Sequence, residues 1–275
     1  GISTGNHVFF GGDTVLDNMT LTLTKTSNAI YLSGEGHDLT IGKGITTKAT
    51  YSGRRFCLTL RYSEGSMDGA TLTVNAGNWR SIFYGGYPKA TTGNCTLIMN
   101  VGNVNNIVGP TYSGTVTGNA AVYINGGTIN VFDPGANTTG SVKGNVTITL
   151  RGGTYTKVRP QSARPITGNV TMTIDGDCTG IKAFENKSGS VAKKTLILKS
   201  GILDTAPGNF TEILLAIPKD ETFTLQGCTV NATSVDSEGT LLFTGSGVLT
   251  ASSVSGTLNC NITDSPLAGH AYVTA

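Results

Sequence analysis

The chain has 275 residues, 38 of them Gly, with 13% charged residues and a formal net charge of +2, so it lacks the basic balance of a nucleic-acid binder. No apolar run approaches the ~18 residues of a membrane helix, so no membrane span is expected. Low charge is joined to regular Val/Ile/Leu alternation, which argues for an ordered chain with an apolar face rather than a disordered one.

The chain opens at Gly1 with no signal peptide, as a processed protein would. Gly1–Gly12 is the candidate N-terminal cap. Strand-like phrases follow at Met19–Thr24 (MTLTLT) and His37–Gly42 (HDLTIG). From Gly69 onward one phrase recurs: GATLTVNAG at 69–77, GNCTLIMNVG at 93–102, GNAAVYING at 118–126, GNVTITLRG at 144–152 and GNVTMTIDG at 168–176. The starts step by 24, 25, 26 and 24 residues (93−69, 118−93, 144−118, 168−144). A strand-based period of this size predicts a solenoid in which each coil touches only its neighbours. Weaker copies at 193–201, 219–227 and 239–247 continue the series, and the Cys260–Ala275 tail is the candidate C-terminal cap. The expected fold is an all-β, right-handed, single-stranded parallel β-helix of about ten coils of ~25 residues, forming a single domain over 1–275.

Within each phrase the side chains alternate. Ala70, Leu72 and Val74 begin an inward set continued by Cys95, Leu97, Met99 and their later equivalents, while Thr and Asn point outward. A second short strand follows each phrase, with Phe83 and Phe132 expected to alternate inward with Val108 and Val158. Stacking turns equivalent outward positions into columns. One reads Asn75, Asn100, Asn125, Arg151, Asp175: an amide ladder, with Arg151 and Asp175 able to pair. A second reads Tyr84, Gly109, Asp133, Arg159, Ala183. Trp79, Tyr84, Tyr87 and Tyr112 fall on two neighbouring coils and are expected along one edge. Aromatic faces beside carboxylate and guanidinium groups suit sugar rings, so the candidate carbohydrate-binding residues are Trp79, Tyr84, Tyr87, Tyr112, Asp133 and Arg159.

Catalytic chemistry has little foothold. Asp133, Asp175 and Asp177 sit at different points of the coil circumference, and an inverting hydrolase needs two carboxyls ~6.5–9.5 Å apart. Arg151, Lys157, Arg159 and Arg164 form a small basic group fit to meet a uronate, but no acidic cluster resembles a Ca²⁺ cage. His7, His37 and His270 are scattered. The five Cys (57, 95, 178, 228, 260) are odd in number and show no CxxC spacing, so neither a zinc site nor a disulfide framework is expected. The prediction is no cofactor, no metal and no catalytic residue. Nine Asn-x-Ser/Thr sequons, several at strand starts where a glycan would obstruct stacking, favour a bacterial origin.

The Gly-Asn-x-Thr phrase, clearest in Gly144–Thr154 and Gly118–Thr128, resembles right-handed β-helix regions of surface and secreted proteins of gut bacteria. Two groups share that look: the pectin-lyase-like lyases and hydrolases, and the non-catalytic β-helical xylan-binding modules of carbohydrate-binding module family 89. The aromatic cluster and the missing acidic machinery are more similar to the second, and no binding residue is carried over from it. That resemblance implies a secreted or cell-surface bacterial module that binds a plant polysaccharide, xylan first, and targets a tethered glycoside hydrolase. A β-helix lyase or hydrolase and an adhesive surface rod are the alternatives.

Overall fold

The computed structural model describes residues 2–4, 6–24, 29–49, 56–136 and 138–263. His270 and residues 264–275 of the expected C-terminal cap lie outside them, as do residues 1 and 5 of the N-terminal one. The described chain is a parallel β-solenoid with no helix, so no helix is long and apolar enough to cross a membrane.

Three ladders wrap one core. The first contains Ala70–Val74, Cys95–Met99, Ala120–Ile124, Val146–Leu150, Val170–Asp177 and Lys194–Leu203, the repeated phrases themselves. Their pairing is parallel and in the register of the repeat: Leu72, Leu97, Val122, Ile148, Met172 and Leu196 form one inward column, each at most 1% exposed. The second ladder runs through Val8–Phe9, Ile30–Ser33, Phe56–Arg61, Asn78–Gly86, Asn103–Val108, Thr128–Asp133, Thr154–Gln161 and Gly180–Ile181. The third is built from two- and three-residue strands, Gly65–Ser66, Thr91–Thr92, Thr115–Thr117 and Ser141–Val142. Eight strands along the path of the second ladder make about eight turns, fewer than the ten expected.

The repeat also departs from its 25-residue period at the ends. Thr195 pairs with Glu212, Leu214 with Ser234 and Thr240 with Asn259, steps of 17, 20 and 19 residues (212−195, 234−214, 259−240). The C-terminal turns are therefore shorter than the 25-residue phrase, and the copy read at 219–227 does not stack on 193–201. Phe223 instead faces Gly201. Near the N-terminus Leu39–Ile41 joins the first ladder, but Thr20–Leu23 belongs to a separate three-stranded sheet with Ile2–Thr4 and Thr46–Ala49.

The Gly-Asn pair has a local cause. Asn94 Oδ1 accepts the Asn119 backbone N–H, Asn119 Oδ1 that of Asn145, and Asn145 Oδ1 that of Asn169, each at 2.9 Å. Each Asn thus satisfies a turn donor one coil on, at a corner where the sheet ladder has lapsed. The preceding position must be Gly because the coils touch there: a Cβ at Gly144 would collide with the Gly118 carbonyl.

The outer face of the first ladder carries the expected column. Asn100 Nδ2 donates to Asn75 Oδ1 and Asn125 Nδ2 to Asn100 Oδ1, both at 2.7 Å. Arg151 Nε then meets Asp175 Oδ2 at 3.2 Å, and Lys199 Nζ reaches Asp175 Oδ1 at 3.2 Å. Partial burial pushes the Asp175 carboxyl up, but the bonds from Lys199, Arg151 and Ser200 outweigh it and hold the group below its ordinary value. A carboxyl lowered on folding stabilises above its unfolded pKa of about 3.9, and that contribution is lost as pH falls through the folded value. Asp175→Asn is therefore expected to flatten the acid limb of the stability profile below about pH 4, read from urea midpoints across pH. An unchanged limb would show that the column contributes nothing there.

Candidate functional site

The second ladder's strands bend, and the bend decides which side chains reach solvent. In Thr128–Asp133, Ile129 points in, Asn130 and Val131 point out, Phe132 points in and Asp133 points out. Two successive outward residues at the bend break the period-two reading. The strand register sets Ile82, Ile107, Phe132 and Val158 in the inward column. The next position gives Phe83, Val108, Asp133 and Arg159 outward, with Val108 paired to Asp133. Phe83 and Val108 are buried as expected, but outside the main core. They belong to a separate apolar cluster with Ala29, Tyr31 and Cys57, against which Tyr62, Tyr87 and Tyr112 pack.

That cluster is a stripe of rings on the outer face of the first five coils. Tyr62, Tyr87 and Tyr112 stand one period apart (87−62 and 112−87, each 25), with ring centroids 5.7 and 5.2 Å apart. Tyr31 stacks on Tyr87 at 4.4 Å with an interplanar angle of 15°, and Phe83 meets Tyr87 at 4.9 Å and Tyr112 edge-on at 5.5 Å. Tyr31 and Phe83 are buried and form the floor. Tyr62, Tyr87, Tyr112 and His7 are half-buried, and Phe9 is 53% exposed at the rim. Four coil steps of ~4.8 Å make a stripe of about 19 Å along the axis. With Arg80, Ser81 and Cys57 these rings enclose a concavity of about 300 Å³.

Polar contacts fix the walls. His7 Nδ1 accepts the Tyr31 backbone N–H at 3.1 Å and its Nε2 lies 3.4 Å from the Tyr62 hydroxyl. Glu35 Oε1 accepts the Tyr62 N–H at 2.9 Å and the Ser33 hydroxyl at 2.6 Å, while its Oε2 takes the Ser63 hydroxyl. Burial raises the Tyr31 and Tyr62 phenols, which keeps both protonated at neutral pH as hydrogen-bond donors. Burial also pushes the Cys57 thiol up to about 11, so it is an inert floor residue.

Of the six residues expected to bind carbohydrate, Tyr87 and Tyr112 come together in this stripe. Trp79 and Tyr84 do not: both are 0% exposed and sit in the main core. Trp79 precedes the bend and shares an inward column with Val104, Ile129 and Tyr155. Its Nε1 donates to Ala76 O at 2.8 Å, as the Tyr155 hydroxyl donates to Gly152 O at 2.8 Å, so each buried polar atom is satisfied by its own turn. The Tyr84 hydroxyl donates to Pro134 O at 3.3 Å inside the core. Tyr84 lies in the stretch where Asn78–Gly86 holds one residue more than its neighbour: Thr59 faces Phe83 but Arg61 faces Gly86.

Asp133 and Arg159 bind each other instead of lining the stripe. The Arg159 Nη1 to Asp133 Oδ2 distance is 3.4 Å, with Asp133 only 2% and Arg159 14% exposed. Burial raises the Asp133 carboxyl, and bonds from Ser162, the Gly135 N–H and Arg159 oppose it without cancelling it. At 2% exposure Asp133 has no face left for a sugar hydroxyl. A second concavity, about 380 Å³ between Ala206–Ile213 and Thr229–Thr233, carries one ring, Phe210. Among the described residues no three His, Cys, Asp or Glu side chains converge to hold a metal ion.

Comparison with protein-family models, with curated proteins and with solved structures gave no match for this chain. The parallel β-solenoid therefore stands on the pairing itself, and the family-level reading has no relative to support it.

Proposed function

We propose that the protein is a non-catalytic carbohydrate-binding module whose aromatic stripe holds a polysaccharide chain laid along the solenoid axis. One observation carries this reading: half-buried rings, fixed from below, are exposed at one-period spacing on a rigid face. Pyranose rings offer C–H faces to aromatic rings and hydroxyls to the phenols between them. The rings are preformed by packing, so little ordering entropy opposes binding of a long chain. Support for a non-catalytic role comes from the carboxylates considered for hydrolysis, since Asp133 is sealed beneath Arg159 and Asp175 is shared between Arg151 and Lys199. Xylan is the first ligand to try, on the resemblance to the xylan-binding modules. A secreted bacterial parent with a tethered glycoside hydrolase completes the proposal.

The test is affinity electrophoresis in gels containing xylan, mannan, pectin or β-glucan, with product assays on the same panel. Retardation by one glycan without product is the expected result. Tyr87→Ala, at the centre of the stripe, is expected to weaken that binding about tenfold or more, equivalent to ~1.4 kcal/mol. Product release from any glycan, or affinity unchanged in Tyr87→Ala, would sink the reading.

A further inference from the structure

Arg80 lies on Asn78–Gly86 between the buried Trp79 and the concavity residue Ser81, and it lines the concavity itself. Three other arginines are spent on the protein, while the exposed Arg164 lies away from the concavity. Arg61 donates to the carbonyls of Glu35, Glu64 and Ser66, Arg151 pairs with Asp175, and Arg159 with Asp133. Arg80 makes neither an ion pair nor a hydrogen bond to any described residue, and it is exposed. No Asp or Glu lines the concavity. Its charge is felt at the floor, where it draws the Cys57 thiol down against the larger effect of burial.

A second unmatched donor stands beside it. The pairs Trp79–Val104 and Ser81–Asn106 put Asn105 opposite Arg80 on the next coil. Asn105 Oδ1 accepts Asn130 Nδ2 at 3.1 Å, the start of a third amide ladder. In the other two, the amide nitrogen passes the chain of bonds back one coil, Asn100 to Asn75 and Asn103 to Asn78. Here the residue one coil back is Arg80, which has no acceptor to offer. The register therefore sets the last amide of the ladder, on the exposed Asn105, next to the exposed Arg80, two donor-bearing side chains without an acceptor of their own among the described residues, and Arg80 lines the aromatic concavity.

A planar carboxylate answers that arrangement: it brings two acceptor oxygens, and a guanidinium takes such a group in a fork. We propose that the glycan held by the stripe is acidic, with the carboxylate of a uronate residue lodged between Arg80 and Asn105. The proposal rests on the sugar-binding reading and adds the chemical class of the sugar.

The experiment compares two polymers differing in one group. Glucuronate-bearing xylan and polygalacturonate are each offered to the whole chain beside the same polymer with its carboxyls reduced to alcohols, and affinities are measured by calorimetry. The expected result is a preference of about tenfold or more for at least one acidic form over its reduced partner, weakened by added salt. Arg80→Gln should bind both forms alike, at the level of the reduced one. Asn105→Ala should lose part of the preference and serves as the second variant if circular dichroism shows Arg80→Gln misfolded. Equal wild-type affinity for acidic and reduced forms, or a preference that survives both substitutions, overturns the carboxylate site while leaving sugar binding intact. Binding of neither form in either pair, with none in the neutral-glycan gels, overturns the sugar-binding reading and this inference with it.

Discussion

Trp79→Ala is expected to destabilise the solenoid by about 3–5 kcal/mol, the range for truncating a fully buried large aromatic residue. The side chain is 0% exposed and edge-on to Phe56 at 6.5 Å. Gly77 lies so close beneath the indole that a Cβ there would meet the ring. The void cannot refill, because the backbone on each side is locked to the next coil by ladder bonds. Since each coil leans only on its neighbours, the loss should open the coils around Asn78–Gly86 first. Circular dichroism in urea, with hydrogen exchange to localise the opening, measures both. Trp79 is the single Trp of the chain, so its emission is a second readout. It should be that of a buried indole and should not move when a glycan occupies the stripe, which lies on the other side of the sheet. A shift in Trp emission on glycan binding, or a stable Trp79→Ala variant, would return Trp79 to the surface where sequence reasoning first puts it.

That misplacement shows where the sequence is legible. The first ladder is readable because each phrase is a straight strand with one buried face, so period two identifies every inward residue from Ala70 to Ile174. The Asn75–Asn100–Asn125 column follows from the same period. The second ladder hides its register because two outward residues sit together at each bend, and Phe83 and Tyr84 exchange roles as a result. Trp79 and Tyr84 are apolar enough for the core and polar enough for a sugar site, and composition cannot separate those fates when both polar atoms find a backbone carbonyl indoors. The true stripe had one clear signal, Tyr62, Tyr87 and Tyr112 at steps of 25, which only the repeat period isolates. Tyr31 and His7 carry no such mark, for they reach the stripe from coils whose phrases are degenerate.

Arg159→Met is the other large effect expected. It keeps the side-chain bulk but leaves the Asp133 carboxylate buried without its cation, a change of about 3–5 kcal/mol when one partner of a buried pair is removed. The sign with pH separates this from lost packing. Asp133 is already raised above its ordinary value with Arg159 in place, and removing the cation raises it further. A carboxyl raised on folding opposes folding above its folded pKa, and that opposition vanishes below its unfolded pKa of about 3.9. The deficit of Arg159→Met relative to wild type should therefore be full at neutral pH and shrink as pH falls toward about 4, when a neutral Asp133 can stay indoors on its bonds to Gly135 and Ser162. Urea midpoints for both proteins across that range decide it. A deficit that does not change with pH would mean that Arg159 acts through its packing alone. A deficit that grows in acid would mean that neither carboxylate accounts for the role of Arg159, because attraction to Glu185, 4.0 Å from Arg159 Nη2, is likewise lost as pH falls.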